Sequence, residues 1–388
     1  MLRRALALCL CAAFLLPGAL AEDIDARVDA LFARYKVVGG SVVVARDGQL
    51  VYARDWGVRS LAAGDPVGED TFFRIASVTK LVSAIGLMQQ VEQGTLALDA
   101  PIGEVLGYAA ASPRFPDTPL TLRQLMSHTA SLTSGNGFSV GGRTLEQIIG
   151  LQSGKDGYYT HRRPGRAYRY SNLGAGVTGA LLEAVTGQSM DAYMRAHVFE
   201  PLGIQAAYAA SRIAQPQHLS DQHQDGRLLH TADSFIQNGY EDFADPQRHY
   251  DTAYGGLWIR TRDMARLGIA LAGDGTVEGV RLLQPASLLQ MRADQAQAGA
   301  SVQADSPYGL FLERTRTALP GHTLFGHQGI LNGVSANLYF EPDTGFVFAL
   351  ATNGGSTARQ GGVTRLTRAL INELYGPLVE DAHPQPVN

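Results

Sequence analysis

Cysteine is almost absent from this 388-residue chain: Cys9 and Cys11 are the only two, and both lie within the first 21 residues. With that stretch removed no thiol remains, which excludes a catalytic cysteine, a zinc–thiolate centre, an iron–sulfur cluster and any disulfide. Lysine is nearly as scarce. Of 32 basic residues only Lys36, Lys80 and Lys155 are lysines, so chemistry that needs an amine has three places to look. There is no surplus of positive charge either. The formal net charge is −4, whereas a nucleic-acid partner needs a basic face to meet its phosphates. Glycine (44) and proline (17) follow no Gly-X-Y period, which excludes collagen. Hydrophobic residues at 45% and charged residues at 18% are globular proportions.

No apolar run is long enough for a membrane helix. The longest candidate, Ala5–Leu16, falls well short of the roughly 20 residues a bilayer requires. Arg3 and Arg4 precede it and Ala19-Leu20-Ala21 follows, the n-region, h-region and small-x-small site of a secretory signal. Residues 1–21 are therefore expected to be a signal peptide cut after Ala21. That cut leaves 30 basic against 36 acidic residues, a net charge of −6, in a periplasmic or secreted protein with no membrane span.

Hydrophobic periodicity gives the organisation. Residues 24–35 repeat at helical spacing. Two β-branched runs then flank Asp47-Gly48, a hairpin signal. A helix is predicted over 77–93 with Gly94 as its C-cap, and residues 95–250 read as helical patches between loops. Among them are a capping box at Thr144–Gln147 and helices over 173–186 and 189–199 broken at Gly187. Thr261–Ala272 is another helix. Strands return at 322–328, 333–341 and 345–352, followed by a helix over 357–375 and a loose tail over 377–388. Strands near both ends with helices between them predict an α/β (α+β) domain, residues 22–376. Its α/β part takes residues 22–80 and 250–376, and a mostly helical part, 81–249, is inserted. A cleft between the two parts is where a small-molecule site belongs.

Three short motifs carry chemistry. Ser77-Val78-Thr79-Lys80 opens a predicted helix, where residues three apart share a face and the Lys80 amine can reach the Ser77 hydroxyl. A serine becomes a nucleophile only when a neighbouring base takes its proton, and a lysine with a lowered pKa can do this. Tyr170-Ser171-Asn172 is the chain's single Tyr-x-Asn; its phenol can relay a proton and its amide can hold a substrate carbonyl. His327-Gln328-Gly329 is the single His-x-Gly and lies at a predicted strand end, where a glycine lets a substrate backbone lie alongside.

In this order the three motifs resemble the serine β-lactamase and penicillin-binding DD-peptidase superfamily, which is described by Ser-x-x-Lys, a Ser- or Tyr-based motif ending in Asn, and Lys-Thr-Gly or its relatives. The likeness runs from about Ser41 to Leu374 and includes Phe73-Arg74-Ile75-Ala76, Leu125-Met126-Ser127-His128-Thr129, Pro164-Gly165, Pro201-Leu202-Gly203, Gly255-Gly256-Leu257 with Thr261-Arg262-Asp263, and Thr352-Asn353. Tyr170 in place of Ser in the second motif resembles the class C and DD-peptidase branch. The family's usual Ser-Gly-Leu is replaced by Ala130-Ser131-Leu132, and no lysine follows Lys155, so His327 stands where true β-lactamases carry lysine. The resemblance implies a β-lactamase/transpeptidase-like fold, an antiparallel sheet flanked by helices with an inserted helical domain. It implies Ser77 as the acylated nucleophile, Lys80 as base or proton partner, and Tyr170 as the shuttle to the leaving group. Asn172 would position Lys80 and the substrate amide, and His327 would lie near a substrate carboxylate. The oxyanion hole would be the N–H groups of Ser77 and Ile330, beside Gly329.

No metal or organic cofactor is implied. The expected partner is a small molecule or peptide: a β-lactam, a D-Ala-D-Ala stem peptide or an ester. The expected function is that of an exported hydrolase forming an acyl-enzyme on Ser77 with D-Ala-D-Ala-type peptides or β-lactams; the alternatives are a small-ester hydrolase of the class C-like type and a penicillin-binding sensor that does not turn over. Two other clusters compete for a role. His218, Asp221, His223, Asp225 and His230 could be read as zinc ligands, against a spacing that fits no standard ligand pair. Arg162, Arg163, Arg166 and Arg169 could meet an anion or form a solvated face.

Overall fold

The computed structural model describes residues 18–133, 143–151, 153, 158–237, 252–295 and 308–381. Helix α1 (Gly18–Arg34) leads into a hairpin of β1 (Gly39–Arg46) and β2 (Gln49–Gly57). The hairpin turn is Asp47 (φ 50°) and Gly48 (φ 79°), both left-handed, a geometry that follows the strand twist and that Asp-Gly tolerates. β3 (Phe72–Arg74) then runs directly into α2 (Val78–Gln93), which ends on Gly94 at φ 76°.

Among the described residues the inserted part holds short helices, one long one, α3 (Asn172–Thr186), and a small hairpin, Gln222–His230. The expected capping box at Thr144 and Gln147 is formed, with both reciprocal bonds present. A small sheet of β3, β4 (Ala206–Ala207) and β5 (Trp258–Arg260) ties this part to the rest. Helix α4 (Thr261–Ala272) follows, then β6 (Glu313–Thr315), β7 (Leu324–Leu331), β8 (Val334–Glu341), β9 (Phe346–Thr352) and α5 (Arg365–Tyr375).

The main sheet has the order β6-β7-β8-β9-β1-β2, and every neighbouring pair is antiparallel. Its two faces are built by alternation along the strands. Val42, Val44, Tyr339, Phe348 and Leu350 pack with α1 and α5 through Phe32, Leu366 and Leu370. Val43, Ala45, Leu338, Val347 and Ala349 pack with α2 and α4 through Leu81, Val82, Met264 and Leu267. Helices cover both faces, so β8 and β9 are buried along their whole length, and β9 reads as a nearly unbroken apolar run.

Three segments depart from expectation. β7 continues to Leu331, so the His327 motif lies inside the strand; the turn comes later, at Asn332 (φ 25°) and Gly333 (φ 84°). The helix expected from 357 begins at Arg365, because Gly361 and Gly362 (φ 63° and 82°) turn a small hairpin, Arg359–Gln360 against Val363–Thr364. The chain after Pro377 is packed at first, since the helical turn Gly376–Glu380 buries Leu378 and Val379; residues 382–388 of the expected loose tail lie outside the described residues. Residues 1–17 of the expected signal peptide also lie outside them.

Candidate active site

The switch from β3 to α2 is abrupt. Ala76 takes φ 44°, a left-handed conformation costly for a residue with a Cβ, and so turns Ser77 out at the helix start. One helical turn on, Lys80 is fully buried; its Nζ lies 3.0 Å from Ser77 Oγ and donates to the Tyr254 carbonyl at 2.8 Å. Burial holds the Lys80 amine well below its ordinary pKa, and the charge of Glu313 only partly offsets this. A neutral amine beside a serine hydroxyl can take its proton.

The Tyr170 hydroxyl also donates to Ser77 Oγ, at 2.8 Å. The residue is 36% exposed, but the hydroxyl end is enclosed, and this raises the phenol above its ordinary pKa despite the bond to Ser77. Tyr170 therefore stays a neutral phenol over the whole neutral range. Behind it lies His128, buried, with ring centroids 4.4 Å apart; His128 Nδ1 accepts the Ser171 N–H at 3.3 Å. Burial and the Lys80 charge keep His128 neutral. Asn172 is the first residue of α3, after the cap Ser171, whose Oγ accepts from Gly174 N–H at 3.0 Å.

β7 closes the site from the sheet side. A Cβ on Gly329 would stand 2.2 Å from the Ile75 carbonyl and 3.0 Å from the Ser77 nitrogen, so only glycine lets this strand reach the nucleophile. Pairing of β6 with β7 stops at Glu313↔Gly326, which among the described residues leaves 327–331 as an open edge. The backbone of Ser335 turns towards β9, its N–H and C=O both bonding the Thr352 hydroxyl. Its cross-strand partner Ile330 is therefore in a non-hydrogen-bonded pair and directs its own N–H to that open edge. This is the second expected oxyanion donor, brought beside the first by Gly329.

His327 corrects the sequence reading. It is 1% exposed, with Nδ1 2.8 Å from the Gln328 carbonyl and Nε2 3.1 Å from the Tyr308 hydroxyl. A carbonyl only accepts, so Nδ1 carries the hydrogen and Nε2 accepts from Tyr308. Burial, aided by the Lys80 charge, brings its pKa down to about 3. The expected place near a substrate carboxylate is therefore held by an uncharged ring; His327 is a neutral wall.

The other clusters do not converge on the site. Arg162, Arg163, Arg166 and Arg169 are exposed, and Arg163 reaches Asp117 and Thr118 and lies over the Phe115 ring at 4.8 Å. His223 is buried, whereas His230 is exposed with its ring against Phe235, and Asp225-Gly226 forms the hairpin turn between them. Among the described residues, no three His, Cys, Asp or Glu side chains could hold a metal.

The family model described as beta-lactamase matches residues 24–373. This chain belongs to the beta-lactamase family. It is 34% identical to Esterase EstB of Burkholderia gladioli over 227 residues, 54% of this chain and 56% of that protein's length. It is 29% identical to Penicillin-binding protein 4 of Amycolatopsis lactamdurans over 384 residues, 93% of each chain. A solved class C beta-lactamase superposes with a TM-score of 0.72 at 16% identity, covering 94% of this chain and 98% of the other, a likeness of fold alone. As a beta-lactamase-family protein the chain is a serine hydrolase. His128, Tyr254, Tyr308 and Glu313 also belong to its site. Of these only His128 had a sequence signal, the Leu-Met-Ser-His-Thr segment; the others are isolated residues that the fold alone brings to Lys80 and His327.

Proposed function

We propose that this hydrolase forms an acyl-enzyme on Ser77 and turns over small neutral acyl esters. In this reading Lys80, unprotonated, takes the Ser77 proton as Oγ bonds the ester carbonyl carbon. The carbonyl oxygen becomes an oxyanion facing the N–H groups of Ser77 and Ile330, an arrangement in which each donor is typically worth about 3 kcal/mol of barrier. The carbon–oxygen bond to the alcohol then breaks, Tyr170 gives that alcohol its proton, and the proton held by Lys80 restores the phenol. Water repeats the sequence on the acyl-enzyme. The observation that carries the ester reading is His327: the place of a fixed cation is taken by a buried neutral ring, which offers nothing to a substrate carboxylate. The likeness to an esterase supports it.

A second reading, D-Ala-D-Ala-type peptides or β-lactams, has one observation in its favour. Arg359 is exposed on the hairpin after β9, and its charge reaches His327, Tyr168, Tyr170 and Glu313. A whole-length likeness to a penicillin-binding protein agrees with it.

KM measured from about pH 5.5 to 8.5 for p-nitrophenyl butyrate and for a penicillin separates these readings. Because His327 does not titrate in that window, KM is expected to be flat for both, with kcat/KM far higher for the ester. A KM for the penicillin that rises through about pH 6.5 would show a protonated His327 binding carboxylate and overturn the ester reading. A flat KM with the penicillin the better substrate transfers the anion role to Arg359.

The same proposal includes export, for which the pattern of residues 1–21 is the support. Fractionated source cells should yield a protein outside the cytoplasm that begins at Glu22; an intact Met1 N-terminus in the cytoplasm would refute this.

A further inference from the structure

Glu313 has no part in the proton path, yet it is built into the site. It stands across β7 from Tyr339, with Gly326 between them in register. A Cβ on Gly326 would lie 2.6 Å from the Tyr339 ring and 2.0 Å from the Leu338 carbonyl, so glycine is what lets the Tyr339 hydroxyl reach Glu313 Oε2, at 3.0 Å. The same oxygen accepts from Gln328 Nε2 at 3.2 Å, and that nitrogen also donates to the Gly362 carbonyl at 2.8 Å. Gln328 is the residue whose carbonyl fixes His327, and it lies two residues before Ile330 on the open edge. One carboxyl thus joins β6, β7, β8 and the Arg359–Thr364 hairpin at the point where the ladder of β6 ends.

We propose that Glu313 is a positioning residue for acylation: through Gln328 it holds the open edge of β7 against Ser77, and its charge state is coupled to that of Lys80. The proposal rests on the Ser77 acyl-enzyme reading. The coupling has a physical basis in the groups facing the carboxyl. These are Lys80 from α2, Arg359 from the hairpin, Tyr168 and Tyr170 ahead of α3, Tyr308 ahead of β6, and Tyr339 from β8. Enclosure raises the Glu313 carboxyl to about 7, with the bonds from Tyr339 and Gln328 acting against it. Below that pH Lys80 faces a neutral acid; above it, a carboxylate that favours the protonated amine.

Two variants and two readouts test this. Glu313→Gln keeps an oxygen for Tyr339 and Gln328 but carries no charge, whereas Glu313→Ala removes the anchor. With p-nitrophenyl butyrate, Glu313→Ala is expected to lose between ten- and a hundredfold of kcat, the order for a misplaced reacting group. Glu313→Gln should recover most of that loss. The second readout is independent of activity. The sequence has only three lysines, so in protein labelled with [13C]lysine the Lys80 signal is the one missing from Lys80→Ala. In the wild type that signal should show an inflection near pH 7 as Glu313 ionises, and Glu313→Gln should lack it. Superimposable titrations of wild type and Glu313→Gln, or a Glu313→Ala enzyme within twofold of wild type, would overturn the proposal. Ser77→Ala, assayed alongside, separates this failure from failure of the acyl-enzyme reading: it is inactive where that reading holds and active where that reading fails.

Discussion

Ser77→Ala is expected to abolish hydrolysis, with a loss of kcat of about a millionfold, the scale seen when a covalent nucleophile is removed. The size follows from the geometry. Two polar groups, Lys80 Nζ at 3.0 Å and Tyr170 OH at 2.8 Å, converge on one oxygen, and that oxygen is turned out at a helix start by the strained Ala76. With the oxygen gone, the base and the shuttle have nothing to act on, and only binding and the backbone donors of Ser77 and Ile330 remain. Alanine fits the same helical position (φ −67°, ψ −9°) without strain, so the thermal midpoint should change little. Steady-state hydrolysis of p-nitrophenyl butyrate checks the first claim and a melting curve the second. Activity above a few per cent of wild type would mean that another residue is acylated.

Lys80→Ala and Tyr170→Phe should each cost several powers of ten in kcat, and the double variant should be little worse than the worse single one. Residues that move one proton in sequence act as a unit, and their losses do not add. The acid side of the pH profile belongs to Lys80. Its amine is depressed by burial, so it is neutral and competent through the neutral range, and kcat/KM falls as pH drops through that lowered value. Tyr170 moves the other way. Its phenol is raised, so no loss from tyrosinate formation is expected below the ordinary phenol range. Rate profiles of the single and double variants test this directly; strictly additive losses would show that the two residues do not share a path.

Much of this was legible in the sequence, and the exceptions have physical causes. The two β-branched runs around Asp47-Gly48, the Gly94 cap and the helix Thr261–Ala272 are fixed by local propensity, and the structure has them where the pattern puts them. Ser77, Lys80 and Tyr170 were found because a helix brings i and i+3 together and because their order resembles a known superfamily. Strand β6 and the hairpin Gln222–His230 are too short for any period to register. His327 was misjudged for a different reason. Its identity gives a reference pKa, but the shift to about 3 comes from burial and the Lys80 charge, which outweigh the bond to the neighbouring Gln328 carbonyl, and both arise from contacts between distant segments. Glu313 was invisible for the same reason, since nothing in Leu312-Glu313-Arg314 signals that Tyr339 and Gln328 will meet it.

The central claim is that Ser77 becomes acylated, and peptide mass spectrometry after acid quench tests it most directly. Trypsin cuts after Arg74 and after Lys80, so Ser77 falls in the short peptide Ile75–Lys80. Protein mixed with p-nitrophenyl butyrate and quenched during turnover should carry one butyryl group on that peptide, absent from Ser77→Ala and lost on standing as water completes the cycle. An acyl group on any other peptide, or turnover with the Ile75–Lys80 peptide unmodified, would contradict the account.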